Sequence, residues 1–83
     1  MKKVDDGILF FSSEWCGPCK SVKKYLTKEV MADLDIFQLD AAEDVETFTE
    51  FQVSSVPTFI KLVNGKEEKR HVGALDLKDL KEF

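Results

Sequence analysis

Apolar and polar positions recur with changing periods along this chain, and the changes divide it into elements. Residues 7–11, Gly-Ile-Leu-Phe-Phe, are a short apolar run after an Asp-Gly break. Branched and aromatic side chains in so short a run predict a strand apolar on both faces, as central strands are. Residues 12–15 are a loop. From about 17 to 31 the spacing becomes helical: Cys19, Val22 and Leu26 share one face with Tyr25 beside them, while Lys20, Lys23, Lys24 and Lys28 take the rest. One helix is expected there, weakening at Ala32-Asp33. Residues 35–39, Asp-Ile-Phe-Gln-Leu, predict a second strand. A strand, helix, strand series calls for a crossover and a parallel pair.

Asp40-Ala41-Ala42-Glu43 has the form of a capping box, with Asp40 as N-cap and Glu43 reaching back. The helix it opens, about 42–51, places Val45, Phe48 and Phe51 on one side. A loop at 52–55 leads to Pro57, which holds Val56 extended. Residues 58–63 read as a third strand. Asn64-Gly65 is a two-residue hairpin signal, so 66–72 forms an antiparallel partner whose run of Lys66, Glu67, Glu68, Lys69 and Arg70 suits an exposed edge. Gly73 ends it. Asp76 caps a last helix, 77–82, and Leu75 is placed to staple onto Leu80. The order is β-α-β-α-β-β-α, an α/β chain.

Eighty-three residues make a single domain, 1–83, near the lower limit of what one core supports without staples. The apolar fraction of 43% with seven phenylalanines is enough to build that core. A net charge of −4 with both signs interspersed argues against nucleic acid as a partner. No stretch approaches the roughly 18 apolar residues of a membrane span. Met1-Lys2-Lys3-Val4-Asp5-Asp6 has a basic pair followed at once by acids, which is not a signal peptide, so a cytoplasmic protein with free thiols is expected.

The chemistry lies in Trp15-Cys16-Gly17-Pro18-Cys19, which holds the only two cysteines. A strand that runs into a Cys-x-x-Cys turn and then a helix is an arrangement for thiol–disulfide exchange. The helix start offers orphan N–H groups and partial positive charge, which favour a thiolate at Cys16. Pro18 suits the first turn, where its missing N–H would have had no partner. Cys19, on the apolar face, is expected half-buried, and Cys16 exposed. Cys16 would then attack a partner's disulfide and Cys19 would release the product. A structural zinc site wants four ligands, and His71 is the only histidine. No metal or bound cofactor is expected. Trp15, beside an exposed thiol, reads as a docking face.

With these residues the chain resembles the thioredoxin family. The resemblance rests on Trp15-Cys16-Gly17-Pro18-Cys19-Lys20, on Ser55-Val56-Pro57-Thr58-Phe59, and on Val63-Asn64-Gly65-Lys66 through Val72-Gly73-Ala74-Leu75. It implies a minimal thioredoxin-like fold: a four-stranded mixed sheet in the order 2-1-3-4, flanked by three helices. Thioredoxins usually have one more strand and helix in front, and that unit is expected to be absent here. By resemblance Pro57 is cis and faces the disulfide, and Trp15, Gly17, Pro18, Val56, Val72, Gly73 and Ala74 form a docking patch. The implied activity is protein-disulfide reduction through Cys16 and Cys19. The implied partners are a thioredoxin reductase drawing on NADPH, and disulfide-bearing clients such as ribonucleotide reductase, met by a monomer. The rivals are a glutaredoxin-like protein recharged by glutathione and a docking module of the same fold.

Three positions depart from the family. Phe10 stands where a buried aspartate is usual, and Ile36 where a lysine accompanies it. Swapping a buried charged pair for apolar groups is often neutral or stabilising. Lys24 replaces a helix-kinking proline, so the first helix is expected to run straighter.

Overall fold

A computed structural model describes residues 5–83. The elements run β1 (Gly7–Ser12), α1 (Gly17–Tyr25), α2 (Lys28–Leu34), β2 (Ile36–Asp40), α3 (Val45–Glu50), β3 (Thr58–Val63), β4 (Lys66–Val72) and α4 (Leu77–Lys81). The sheet order is β2-β1-β3-β4. β1 and β2 are parallel, and the other two pairs are antiparallel. This is the α/β, thioredoxin-like arrangement expected from the sequence. The expected absence of a signal peptide rested partly on Met1–Val4, which lie outside the described residues.

Alternation along β1 builds a core on both faces of the sheet. Ile8 and Phe10 point to one side, where they join Cys19, Val22, Leu26, Ile36, Phe59 and Leu80. Leu9 and Phe11 point to the other and join Leu39, Ile60 and Leu62. Phe48 and Phe51 of the α3 segment cover that second layer, each meeting the Phe11 ring edge-on. β1 enters beside a close contact: Ile8 N–H donates to Asp35 O at 2.8 Å. Gly7 sits at φ +139°, and a Cβ there would lie 2.6 Å from that same oxygen. Only glycine fits this backbone conformation and this space together.

The expectation of one straight helix over 17–31 is corrected, and with it the count of three helices: among the described residues there are four. The apolar face does continue through Leu26, which is buried, but the backbone turns there. Leu26 has φ −83° and ψ 72°, and Thr27 N–H donates to Tyr25 O at 3.0 Å. That is an inverse γ-turn. Thr27 then caps a new helix, its Oγ1 accepting from Val30 N at 3.2 Å. A local side-chain bond outcompetes the continuing helix.

The Asp40–Glu43 capping box is also corrected. Asp40 closes β2. Its Oδ1 accepts from Ala42 N, and its own N–H donates to Asp44 Oδ2, both at 2.8 Å. The reciprocal pair is 40 with 44, it closes a turn, and α3 starts only at Val45. The hairpin falls where expected, with Asn64 and Gly65 both at positive φ. Asp76 caps α4 through Asp79 N, and Leu75 and Leu80 belong to one cluster.

Candidate active site

The loop between β1 and α1 delivers Cys16 to a helix start, and Ser13 shapes that loop. Its Oγ accepts from Trp15 N at 3.2 Å, and its carbonyl from Cys16 N at 3.3 Å. A serine bonding the N–H two residues on is a recognisable turn, and reading 12–15 as plain loop missed both this turn and the extension of β1 through Ser12. Cys16 is the N-cap of α1, with extended backbone, and its Sγ accepts from Cys19 N at 3.1 Å. The sulfur occupies the place a serine or aspartate oxygen takes at other helix starts. Pro18 lies in the first turn.

Cys16 and Cys19 are joined as a disulfide, with Cα atoms 5.2 Å apart. Their surroundings differ. Cys19 is wholly buried, deeper than the half-burial expected. Cys16 is partly covered rather than open, packed against the edge of the same cluster. Among the described residues the buried polar side chains are Ser12, Ser13 and Thr58, so no carboxylate, amine or imidazole is buried with the pair. Phe10 fills the centre, its ring on that of Phe59, and Ile36 lies in the same layer.

Of the residues expected to form the docking patch, Trp15 is 81% exposed and Val72 60% exposed. Gly17, Pro18 and Ala74 are exposed, Val56 and Gly73 partly so, and Pro57 is buried. The Val56–Pro57 bond is cis. Gly73, at φ +116°, donates its N–H to Pro57 O at 2.8 Å, so the end of β4 is held against the Pro57 segment. Val56, like Cys16, packs against the cluster that contains Cys19.

A second tie holds the same loop from the other side. The Tyr25 hydroxyl, on the last turn of α1, donates to Leu75 O. Burial pushes this hydroxyl's pKa up, and Asp76 and Asp79 push it further. Between them lies a cleft of about 300 Å³, lined by Ser21, Val22, Tyr25, Ala74, Leu75 and Asp76. Among the described residues no group of three or more His, Cys, Asp or Glu is placed to hold a metal ion, and no helix is long and apolar enough to cross a membrane.

The family model for thioredoxin matches residues 1–83. The chain belongs to the thioredoxin family. A thioredoxin of Mycobacterium tuberculosis (strain ATCC 25618 / H37Rv) is 43% identical over 67 residues, covering 77% of this chain and 58% of that protein. Thioredoxin H2 of Arabidopsis thaliana is 35% identical over 69 residues, covering 81% and 52%. This chain thus spans a little over half the length of these thioredoxins. Among solved structures, thioredoxin NaTrxh from Nicotiana alata superposes with a TM-score of 0.77 at 34% identity, over 90% of this chain and 66% of that one. The reduced Schistosoma mansoni thioredoxin pre-protein does so with 0.77 at 30% identity, over 96% and 76%. The cysteine pair, the cis Val56–Pro57 bond and the Gly73 turn are therefore seen here in a thioredoxin fold.

Proposed function

We propose that this chain is a dithiol–disulfide oxidoreductase that reduces disulfides in client proteins. The observation that carries it is the unequal pair: Cys16 at a helix start, its sulfur accepting a backbone N–H, joined to a Cys19 that solvent does not reach. In the reduced protein that N–H and the helix end favour a Cys16 thiolate. The thiolate attacks a client disulfide, a mixed disulfide forms, and one client thiolate leaves. Cys19 then gives up its proton and attacks Cys16, which releases the second client thiolate and restores the intramolecular disulfide. The client gains two electrons and two protons in all.

Trp15, Gly17, Pro18, Val56, Pro57, Val72, Gly73 and Ala74 form the docking surface in this reading. Val56, held extended before Pro57, offers backbone to an extended client segment. Electrons return from NADPH through a thioredoxin reductase, in the cytoplasm, with the protein acting as a monomer. Ribonucleotide reductase is one client that family membership suggests. Supporting these assignments are the family match and the residues at the site. The test is reduction of insulin by dithiothreitol with and without the protein, followed by recharging with NADPH and thioredoxin reductase or with glutathione. Catalysis recharged by the reductase supports the proposal. No acceleration points to a docking module, and efficient recharging by glutathione alone points to a glutaredoxin-like role.

A further inference from the structure

β4 leaves the sheet at Val72, the last residue that pairs with β3, through Thr58. Residues 73–76 then cross to α4 outside any helix or strand. Such a segment opens more readily than the strand behind it unless something else holds it. Gly73 adds to its freedom, standing at φ +116° with no Cβ to restrict the backbone.

One backbone group at each end of the Gly73–Leu75 segment is tied across the fold. On the sheet side, Gly73 N–H donates to Pro57 O at 2.8 Å. On the helix side, Leu75 O accepts from the Tyr25 hydroxyl. Ala74, between the two ties, is exposed. Packed side chains do not fill the space between the segment and α1. That space is the cleft of about 300 Å³, with Ser21, Val22 and Tyr25 on one wall and Ala74, Leu75 and Asp76 on the other. The tyrosine hydroxyl bridges it.

Tyrosine suits this task. Its ring packs against the cluster that contains Cys19, which aims the hydroxyl, and its polar tip reaches the acceptor. The bond ends on the Leu75 carbonyl and not on a sulfur. It bears on where the loop stands, and Gly73 and Ala74 of that loop belong to the docking surface described above.

We propose that Tyr25 is a positioning residue for client docking: its hydroxyl fixes the Gly73–Leu75 loop where a client meets it, and so sets affinity for the client and not the rate of thiol exchange. A loop out of place for part of the time weakens binding by that fraction. The role rests on the disulfide-reductase reading under Proposed function.

The test is steady-state reduction of insulin by dithiothreitol with the full chain, well below the unfolding temperature. Tyr25→Phe should raise KM for insulin about two- to tenfold, the factor that one hydrogen bond commands, with kcat nearly unchanged. Amide exchange separates positioning from general weakening. In Tyr25→Phe the Gly73 N–H should speed up by a larger factor than the amides of β1, whereas lost global stability speeds both alike. Tyr25 is the only tyrosine, so growth on fluorotyrosine labels this site alone. The label keeps the hydroxyl donor and should keep the wild-type KM. An unchanged KM in Tyr25→Phe, a Gly73 amide no faster than β1, or a labelled protein with the KM of Tyr25→Phe would each overturn the role and leave the reductase reading standing. A wild type that does not reduce insulin would overturn both. If Tyr25→Phe does not fold, the fluorine resonance decides. It should move when labelled Cys19→Ser is joined through Cys16 to an insulin chain, and an unmoved resonance overturns the role.

Discussion

The ring of Phe10 lies stacked on the ring of Phe59, centroids 4.9 Å apart and planes 16° from parallel. The two residues are direct partners across the β1–β3 pair, and both are wholly buried in the layer that contains Cys19. A thiol sealed among such groups gives up its proton reluctantly, and among the described residues no carboxylate is buried beside it to take it. Release of mixed disulfides should therefore speed up as pH rises above neutrality, while the first attack by Cys16 levels off earlier. Phe10→Asp should hasten release near neutrality. It should also destabilise the domain, by about the 3–5 kcal/mol typical of Phe→Ala with a carboxyl left unpaired beside Ile36. Rapid-mixing kinetics of a fluorescent mixed disulfide across pH measures both rates. A fast, pH-independent release in the wild type would show that another group serves as base.

The two sulfurs should be separable by reagent access. In the reduced protein, iodoacetamide at neutral pH should label Cys16 well before Cys19. Cys16→Ser should abolish insulin reduction, and Cys19→Ser should attack and then accumulate mixed disulfides. Mass spectrometry of the tryptic peptides reads the order, and faster labelling of Cys19 would reverse the assigned roles.

Tyr25 ties α1 to the loop that follows β4. Tyr25→Phe removes one hydrogen bond and should cost about 0.5–1.5 kcal/mol in urea unfolding. The pH dependence carries a sign. The folded hydroxyl titrates above its ordinary value, so its contribution is whole below about pH 10 and is lost as pH climbs through the raised value. Wild type should lose stability in that alkaline range more steeply than Tyr25→Phe. Parallel curves would mean that burial and the two aspartates do not hold this hydroxyl neutral in solution.

Gly7→Ala should destabilise by at least about 1 kcal/mol, the scale at which an alanine forced to positive φ outweighs its entropic gain. Here the new Cβ would also press on Asp35 O at 2.6 Å. Urea unfolding measures the loss. A stability equal to wild type would show that the β1–β2 entrance adjusts freely.

Elements with strong local punctuation could be read from the sequence. Asn64-Gly65 marked the β3–β4 hairpin, and Asp76 marked α4, because turn and cap chemistry act within a few residues. The cysteine pair and its helix face were legible for the same reason, being carried by one short stretch. Where local signals competed, the reading failed. Leu26 continued the apolar face of α1, so the γ-turn beneath it was hidden, although Thr27 is a good cap. Asp40 and Glu43 matched a capping box, yet Asp44 took the Asp40 N–H first. Tyr25 gave no sign at all, since its acceptor lies fifty residues away and comes within reach only through the tertiary fold.

The interruption at Leu26 and Thr27 also divides the crossover into two units of unequal grip. α1 anchors itself through Cys19 and Val22, both sealed, whereas α2 has no fully buried residue. Opening free energies follow burial, so amide exchange should find α2 opening first and α1 closer to the global limit. A continuous helix would carry that fraying back toward the sulfurs one hydrogen bond at a time. The γ-turn has no such bonds to unzip, so the dithiol is insulated from the breathing of the segment behind it.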